Sequence, residues 1–453
     1  MTIGDEKTES LPESDLPINE NSPLLHNPHE ETAGGSFSGA VFNLSTTIIG
    51  AGIMALPATM KVLGLGVGIG MIVFVAVLTE AAVEMLLRFS RAGNASSFGG
   101  VMGDAFGTGG RVVFQLSILV NNLGTLIVYM IILGDVLSGT ASSGVHHTGV
   151  LEGWFGENWW NGRLFVLFVT TIFVFGPLVS LKRIDSLRYS SALAVGLAGV
   201  FLVITAGITA VKISHGDISM PRLLPVLTDL TSVWNLFTVV PVLVTAFICH
   251  FNVHTISNEL KKPIMIQPVV RTSLGLCSSV YILTSLFGFL LFGDSILDDV
   301  LANFDTDLGI PYSSMLSDIV RISYALHLML VFPIIFHPLR INFDDLFFPS
   351  SRPLDLDNRR FALITLGLIS IIFLGANFIP SIWDVFQFTG ATATVCIGFI
   401  FPAAIVLRDR HGIATSKDKT LSVFMIGLAV FANLIAVYSD AVALLKKNVS
   451  PHA

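Results

Sequence analysis

Eleven apolar runs, each near the length of a bilayer-crossing helix, occupy most of this 453-residue chain: 37–60, 64–87, 112–137, 164–181, 189–211, 234–256, 270–292, 315–337, 361–379, 381–407 and 421–445. A hydrocarbon core of about 30 Å takes roughly 20 apolar residues in a helix. Lipid offers unpaired backbone groups no water, so a chain with runs of this length must cross as helices. The fold expected is an all-α membrane protein with about 11 transmembrane helices. Charged residues make up 13% of the chain, against about 25% in soluble domains, which excludes a soluble enzyme or a nucleic-acid-binding module.

Lysine and arginine in the connections set the orientation. With the amino terminus in the cytosol, 18 of the 25 basic residues fall on inside segments, and all five tryptophans fall outside. An odd number of spans then puts the carboxyl terminus outside. Residues 1–36 carry eight acids against Lys7 alone, the reverse of the basic start of a signal peptide. This stretch reads as a disordered acidic cytosolic tail. Its net charge of −7 equals that of the whole chain, so the overall acidity says nothing about substrate. The three cysteines, Cys249, Cys277 and Cys396, lie inside apolar runs, and no disulfide framework is expected.

The first run is interrupted at its middle by Gly50-Ala51-Gly52-Ile53, with Asn43, Ser45, Thr46 and Thr47 before the break and Pro57 after it. Small residues let a helix unwind, and the backbone groups so freed persist at membrane depth only inside protein or along a cavity. That is how secondary transporters build solute sites. A packing stripe of small residues would explain the glycines but not the four polar residues before them. The sixth run is also polar at its centre, through Pro241 and Cys249-His250-Phe251-Asn252, although its end could instead be wet at His254, Asn258 and Glu259. Two discontinuous leading helices predict a five-plus-five inverted repeat. The units would be a first repeat over 37–211, an outer connection over 212–233, a second repeat over 234–407, and an eleventh helix with a short outer terminus over 408–453.

Substrate contacts are expected from Ile49, Gly50, Ala51 and Gly52 in the first span, Asn122 in the third, and Phe247 and His250 in the sixth. Half-helix ends carry partial charges of both signs, as a zwitterion requires. Asn43 and Thr46 would shape a neighbouring ion-like pocket. Glu80 and His327 are the candidates for coupling protons: an intramembrane carboxylate is a functional candidate by default, and imidazole titrates near pH 6.5. Glu84 and Arg88 read as an interfacial i,i+4 pair. No catalytic motif, metal spacing or cofactor site appears.

Phe42-Asn43-Leu44-Ser45 leading to Gly50-Ala51-Gly52-Ile53, Tyr129 with Gly134-Asp135, Cys249-His250-Phe251 with Glu259-Leu260, and Phe332-Pro333 with Pro338-Leu339-Arg340 resemble the amino acid/auxin permease family. Within it the chain is similar to plant vacuolar amino-acid transporters related to the sodium-coupled neutral amino-acid transporters. The resemblance implies the inverted-repeat fold of the bacterial leucine transporter, with amino acid carried by alternating access between the first, third, sixth and eighth spans. It departs from the sodium-coupled relatives at Thr46, Met329 and Val331, where those relatives place oxygen ligands for the ion. A hard cation wants oxygen, so proton-linked transport is expected ahead of sodium coupling. Glu20-Asn21-Ser22-Pro23-Leu24-Leu25 fits the acidic dileucine pattern read by sorting adaptors, which points to the vacuole or another endomembrane. Neutral substrates are slightly favoured. Sodium-coupled uptake at the plasma membrane and a membrane amino-acid sensor are the competing readings.

Overall fold

The computed structural model describes residues 35–50, 52–142, 145–297, 299–304, 308–349, 352–379 and 393–449. The dileucine motif (Glu20, Leu24, Leu25), the rest of the acidic tail up to residue 34, and Ala51 lie outside the described residues.

The chain folds as helices joined by short connections. The first, α1 (Phe37–Ile48), starts where the Ser36 hydroxyl accepts the Gly39 N–H at 3.1 Å, an N-cap that satisfies an otherwise orphaned amide. It is followed by α2 (Gly52–Leu63), bent 54° from it. Gly64, at φ +73°, then turns the chain into α3 (Leu65–Ala92). A Cβ on Gly64 would stand 2.6 Å from the Leu224 carbonyl carbon, so the turn admits only glycine. Next is α4 (Phe98–Ser138), kinked at Gly107. A two-stranded hairpin, β1 (Thr140–Ser142) with β2 (Val145–His147), and the short α5 (Val150–Phe155) cover the connection that follows. The next crossing is α6 (Arg163–Thr170), running through a π turn into α7 (Gly176–Val179), and α8 (Arg188–His215) closes the first half.

The second half runs α9 (Leu230–Ala246), α10 (His250–Glu259), α11 (Ile266–Phe292), the short α12 (Val300–Asn303), α13 (Ser313–Phe347), α14 (Asn358–Phe378) and α15 (Phe401–Arg408). The last helix is α16 (Ser416–Val449).

Eight helices among the described residues are long and apolar enough to cross a membrane, or nine with α1 and α2 taken as one bent span. The fourth and tenth expected runs emerge as shorter apolar helices, Arg163–Val179 and Cys396–Arg408, and residues 381–392 of the tenth run are not described. At a rise of about 1.5 Å per residue, the first of these is roughly 26 Å long, just short of the core thickness. Burial separates centre from rim: 72% of the apolar window of α13 and 67% of those of α4 and α9–α10 are enclosed, against 28% for α16. The centre is therefore α4, α9–α10 and α13, with α1 lodged between α8 and α11.

Contacts between connections respect the alternation of sides expected from the runs. On the face where α1 begins, Gly35 pairs with Leu260 after α10, and Arg360 meets Asp344 at 2.9 Å. On the opposite face Arg163 meets Asp135, and Arg222 meets Asp294 at 2.7 Å. Arg88 bonds to a partner beyond its own helix: its guanidinium takes both oxygens of Asp418 in α16, at 3.2 and 3.0 Å, while Glu84 acts on it only through its charge. A planar fork bonds a carboxylate at both oxygens, and that geometry outweighs a flexible i,i+4 pair.

Candidate functional site

Two interrupted helices meet at the centre. α1 stops at Ile49, whose backbone is extended at ψ 98°, and α2 begins again at Gly52. α9 stops at Phe247 and α10 restarts at His250. The breaks touch: a Cβ added to Gly52 would lie 2.8 Å from Ala246 Cα, so only glycine lets the start of α2 sit on the end of α9. Two carbonyl-bearing helix ends and two amide-bearing helix starts thus converge, negative and positive ends respectively.

Side chains from neighbouring helices fasten the freed main chain. The Tyr281 hydroxyl of α11 lies 2.6 Å from the Ile48 carbonyl and 2.7 Å from that of Ala246, tying the ends of α1 and α9 through one phenol. The Tyr324 hydroxyl of α13 donates to the Gly50 carbonyl at 3.4 Å. The Tyr129 hydroxyl of α4 stands 2.1 Å from where a Gly50 Cβ would be, so Gly50 is glycine because a phenol occupies the side-chain space. The His327 ring sits between the carbonyls of Ile49 and Ala194. Phe247 covers the second break, its ring edge-on to Tyr281 at 5.1 Å.

Of the residues expected to hold substrate, Ile49, Gly50, Gly52, Phe247 and His250 are gathered at the breaks. His250 is the first residue of α10, and both its ring nitrogens are buried without a hydrogen-bond partner among the described residues. A buried polar group in that condition is one a ligand or water would satisfy. Asn122 is engaged elsewhere: it accepts from Asn121 at 2.9 Å and approaches the Ile335 carbonyl at 3.5 Å, joining α4 to α13.

The residues expected to handle ions divide. Asn43 donates to the Ile184 carbonyl at 2.9 Å and Thr46 to that of Ser191 at 3.0 Å, so both bind α1 to α8 and its leading turn. Glu80 faces outward in an ion pair with Arg271 at 2.6 Å. His327 is at the break itself. Tyr281 and Tyr324 were not anticipated; Asn252, expected only as part of the polar centre of the sixth run, donates to Thr47 at 2.9 Å and to the Ile334 carbonyl at 3.1 Å. The available signal was a tyrosine inside an apolar run, which needs a partner for its hydroxyl.

On the face where α1 begins, hydrogen bonds join three segments. Gly35 N–H donates to the Glu259 carbonyl at 2.7 Å, Lys261 N–H to the Gly35 carbonyl at 3.2 Å, and the Glu259 carboxylate accepts from Ile184 and Asp185 at 3.0 and 2.7 Å. The segment before α1, the end of α10 and the turn before α8 are thus latched together.

Residues 33–445 match the model of the family described as transmembrane amino acid transporter protein. Among curated proteins, the chain is 69% identical over 420 residues to amino acid transporter AVT6A of Arabidopsis thaliana, covering 93% of this chain and 91% of that one. It is 65% identical to AVT6B of the same plant over 446 residues, covering 98% of each. Among solved structures it resembles a manganese transporter of Eremococcus coleocola at TM-score 0.54 and 13% identity, covering 92% of this chain and 88% of that one. It also resembles a sodium-coupled sialic acid symporter in its outward-open state, at TM-score 0.53 and 12% identity, covering 89% and 90%. At these identities the two structures bear on fold alone, and both are transporters of the leucine-transporter type.

Proposed function

The chain belongs to the transmembrane amino acid transporter family, and from that premise we propose that it is a proton-linked carrier moving amino acids from the vacuole to the cytosol by alternating access. It is a multi-pass membrane transporter of amino acids, not an enzyme. The observation that carries the mechanism is the meeting of two helix breaks, where Gly52 packs on Ala246 and Tyr281 joins both carbonyl ends. The substrate ammonium would take the place of the phenols on the carbonyls of Ile48, Gly50 and Ala246. Its carboxylate would meet the amides at the starts of α2 and α10, where His250 has hydrogen bonds to offer.

The groups at the breaks are carbonyls, amides, phenols and imidazoles, which favours neutral amino acids over acidic ones. The amino terminus is cytosolic in this reading, so the Gly35–Glu259–Ile184 latch is the cytosolic gate. An acidic vacuole supplies the proton gradient, and the dileucine motif (Glu20, Leu24, Leu25) supplies the sorting signal to an adaptor. The test is purified protein in vesicles, given an imposed pH step and a labelled mixture of the common amino acids. Accumulation that follows the pH step and survives replacement of sodium by choline is expected. Uptake that collapses in choline at fixed pH would return the sodium-coupled reading.

A further inference from the structure

His327 lies in the interior of α13, with no part of its side chain exposed. Its Nδ1 is 2.8 Å from the Ala194 carbonyl of α8, and its Nε2 is 3.1 Å from the Ile49 carbonyl at the α1 break. Both partners are acceptors only. A neutral imidazole carries one N–H, so in that form one contact sets a nitrogen lone pair against a carbonyl lone pair at hydrogen-bond distance. An imidazolium carries two N–H groups and satisfies both carbonyls. The ring also fills the gap between two carbonyls that would otherwise suit an oxygen-seeking cation.

We infer that His327 is the site of the coupling proton, and that the imidazolium bridges the α1 break to α8 until deprotonation releases it. This deepens the transport reading above and rests on it. The bridge is the third rung of a ladder. Asn43 to Ile184 and Thr46 to Ser191 are the first two, spaced three residues apart along the same face of α1 as Ile49. Those two rungs need no proton; the third does. Rocking of one bundle against the other is how carriers of this kind alternate, and a proton shifts that equilibrium only through unequal affinity for the two states. A ring held between two carbonyls in one state and parted from one of them in the other provides that inequality.

Among the described residues, the titratable groups around the ring are few. On α13 the Tyr324 ring stacks on the imidazole with centroids 5.7 Å apart. Tyr281 of α11 and Tyr129 of α4 lie close enough to act on Tyr324, as does Asp299 in the connection before α12. From α1 and α8 the contacts are the two carbonyls and the Thr46–Ser191 link. The ion pairs among the described residues do not include His327.

His327→Gln is the decisive variant, because an amide nitrogen also carries two N–H groups and imitates the bridged form at every pH. In reconstituted vesicles with a labelled mixture of amino acids, the wild type should accumulate label when the donor side is acidified. H327Q should fold, exchange label by counterflow more slowly and without dependence on pH, and fail to accumulate it. H327Q that accumulates label with the wild-type acid profile overturns the inference while leaving the transport reading intact. A wild type that neither accumulates nor exchanges overturns the transport reading itself. Where H327Q misfolds, His327→Lys decides: its ammonium reaches for the same carbonyls, so a profile moved to alkaline pH or lost supports the assignment, and an unchanged profile overturns it.

Discussion

The two helix breaks differ in how they are made and therefore in what they present. The first unwinds through small residues: Ile49 is extended, Gly50 gives its side-chain space to Tyr129, and Gly52 lies on Ala246. The second contains no glycine. Phe247 and Cys249 leave the helix at φ −100° and −140°, with ψ near zero, negative-φ conformations that do not call for glycine, and the helix restarts within three positions. The first break exposes main chain to phenols and an imidazole. The second keeps its main chain compact and brings side chains, Phe247 as a cover and His250 as a ring without a hydrogen-bond partner among the described residues. In the transport reading proposed above, both breaks would offer main chain to the groups common to all amino acids, and the second would add side chains able to discriminate among them.

The sharpest way to break this comparison is a single methyl at the first break. In Gly50→Ala the new Cβ would stand 2.1 Å from the Tyr129 hydroxyl, so the phenol must leave its place. Overpacking of this kind costs about 1–3 kcal/mol, and because it falls on the backbone proposed to bind substrate, initial uptake should drop by about ten- to a hundredfold. Cys249→Ala at the second break removes only a buried sulfur and should retain uptake within about threefold. Equal losses in the two variants would show that the breaks are not divided in the way argued here.

Tyr281→Phe bears on both breaks together, because one hydroxyl serves Ile48 and Ala246. A buried carbonyl left without its donor costs about 1–3 kcal/mol. The thermal midpoint in detergent should fall by several degrees, with uptake reduced by about tenfold. A midpoint within a degree of wild type would mean that the two ends are not held by this phenol.

His250→Gln should act on affinity and not on stability, since the imidazole has no partner among the described residues to lose. The expectation is a KM raised by about tenfold, worth roughly 1.4 kcal/mol of substrate binding, with the thermal midpoint unchanged. A fall in stability with KM unaltered would make His250 a packing residue and leave Phe247 as the contribution of the second break.

Much of this arrangement was legible in the chain. Gly50 and Gly52 flanked by polar residues marked the first break, because so few residue types tolerate unwinding at membrane depth. The second was expected from Pro241 and Cys249-His250-Phe251-Asn252, which bracket it. Pro241, which suggested an interruption, lies inside α9, where its missing N–H costs little against neighbouring helices. The break itself falls on Phe247–Cys249, whose dihedrals leave no mark in residue type. Tyr281 and Tyr324 could be flagged as polar within apolar runs, but periodicity does not say which carbonyl a phenol will meet across the bundle. Arg88 makes the same point, because its partner Asp418 is 330 positions away while Glu84 is four. Spacing rules see only neighbours along one helix. Asn43 and Thr46 were expected to shape an ion-like pocket, and in the structure they donate to Ile184 in the turn before α8 and to Ser191 within α8.

The smallest expected effect distinguishes the breaks by pH. Tyr324, which donates to Gly50 at the first break, is faced by Asp299, whose carboxyl burial pushes up from 3.8 to about 6. An unfolded aspartate titrates near pH 3.9, so between about pH 4 and pH 6 the folded protein binds a proton that the unfolded chain does not. By linkage this contribution to stability is fully present at the acid end and is lost as pH rises through about 6. Asn at this position keeps an oxygen to accept the Leu301 N–H, as Asp299 does at 2.9 Å. Asp299→Asn should therefore leave the fold intact and flatten the decline in thermal midpoint between pH 5 and pH 7. Because the carboxyl acts on Tyr324, which donates to the first break, the acid side of the uptake profile should shift in D299N while the KM effect of H250Q stays the same in that background. If D299N follows the wild type at every pH, the carboxyl does not titrate in this range, and the acid dependence of the first break must come from the imidazole between Ile49 and Ala194.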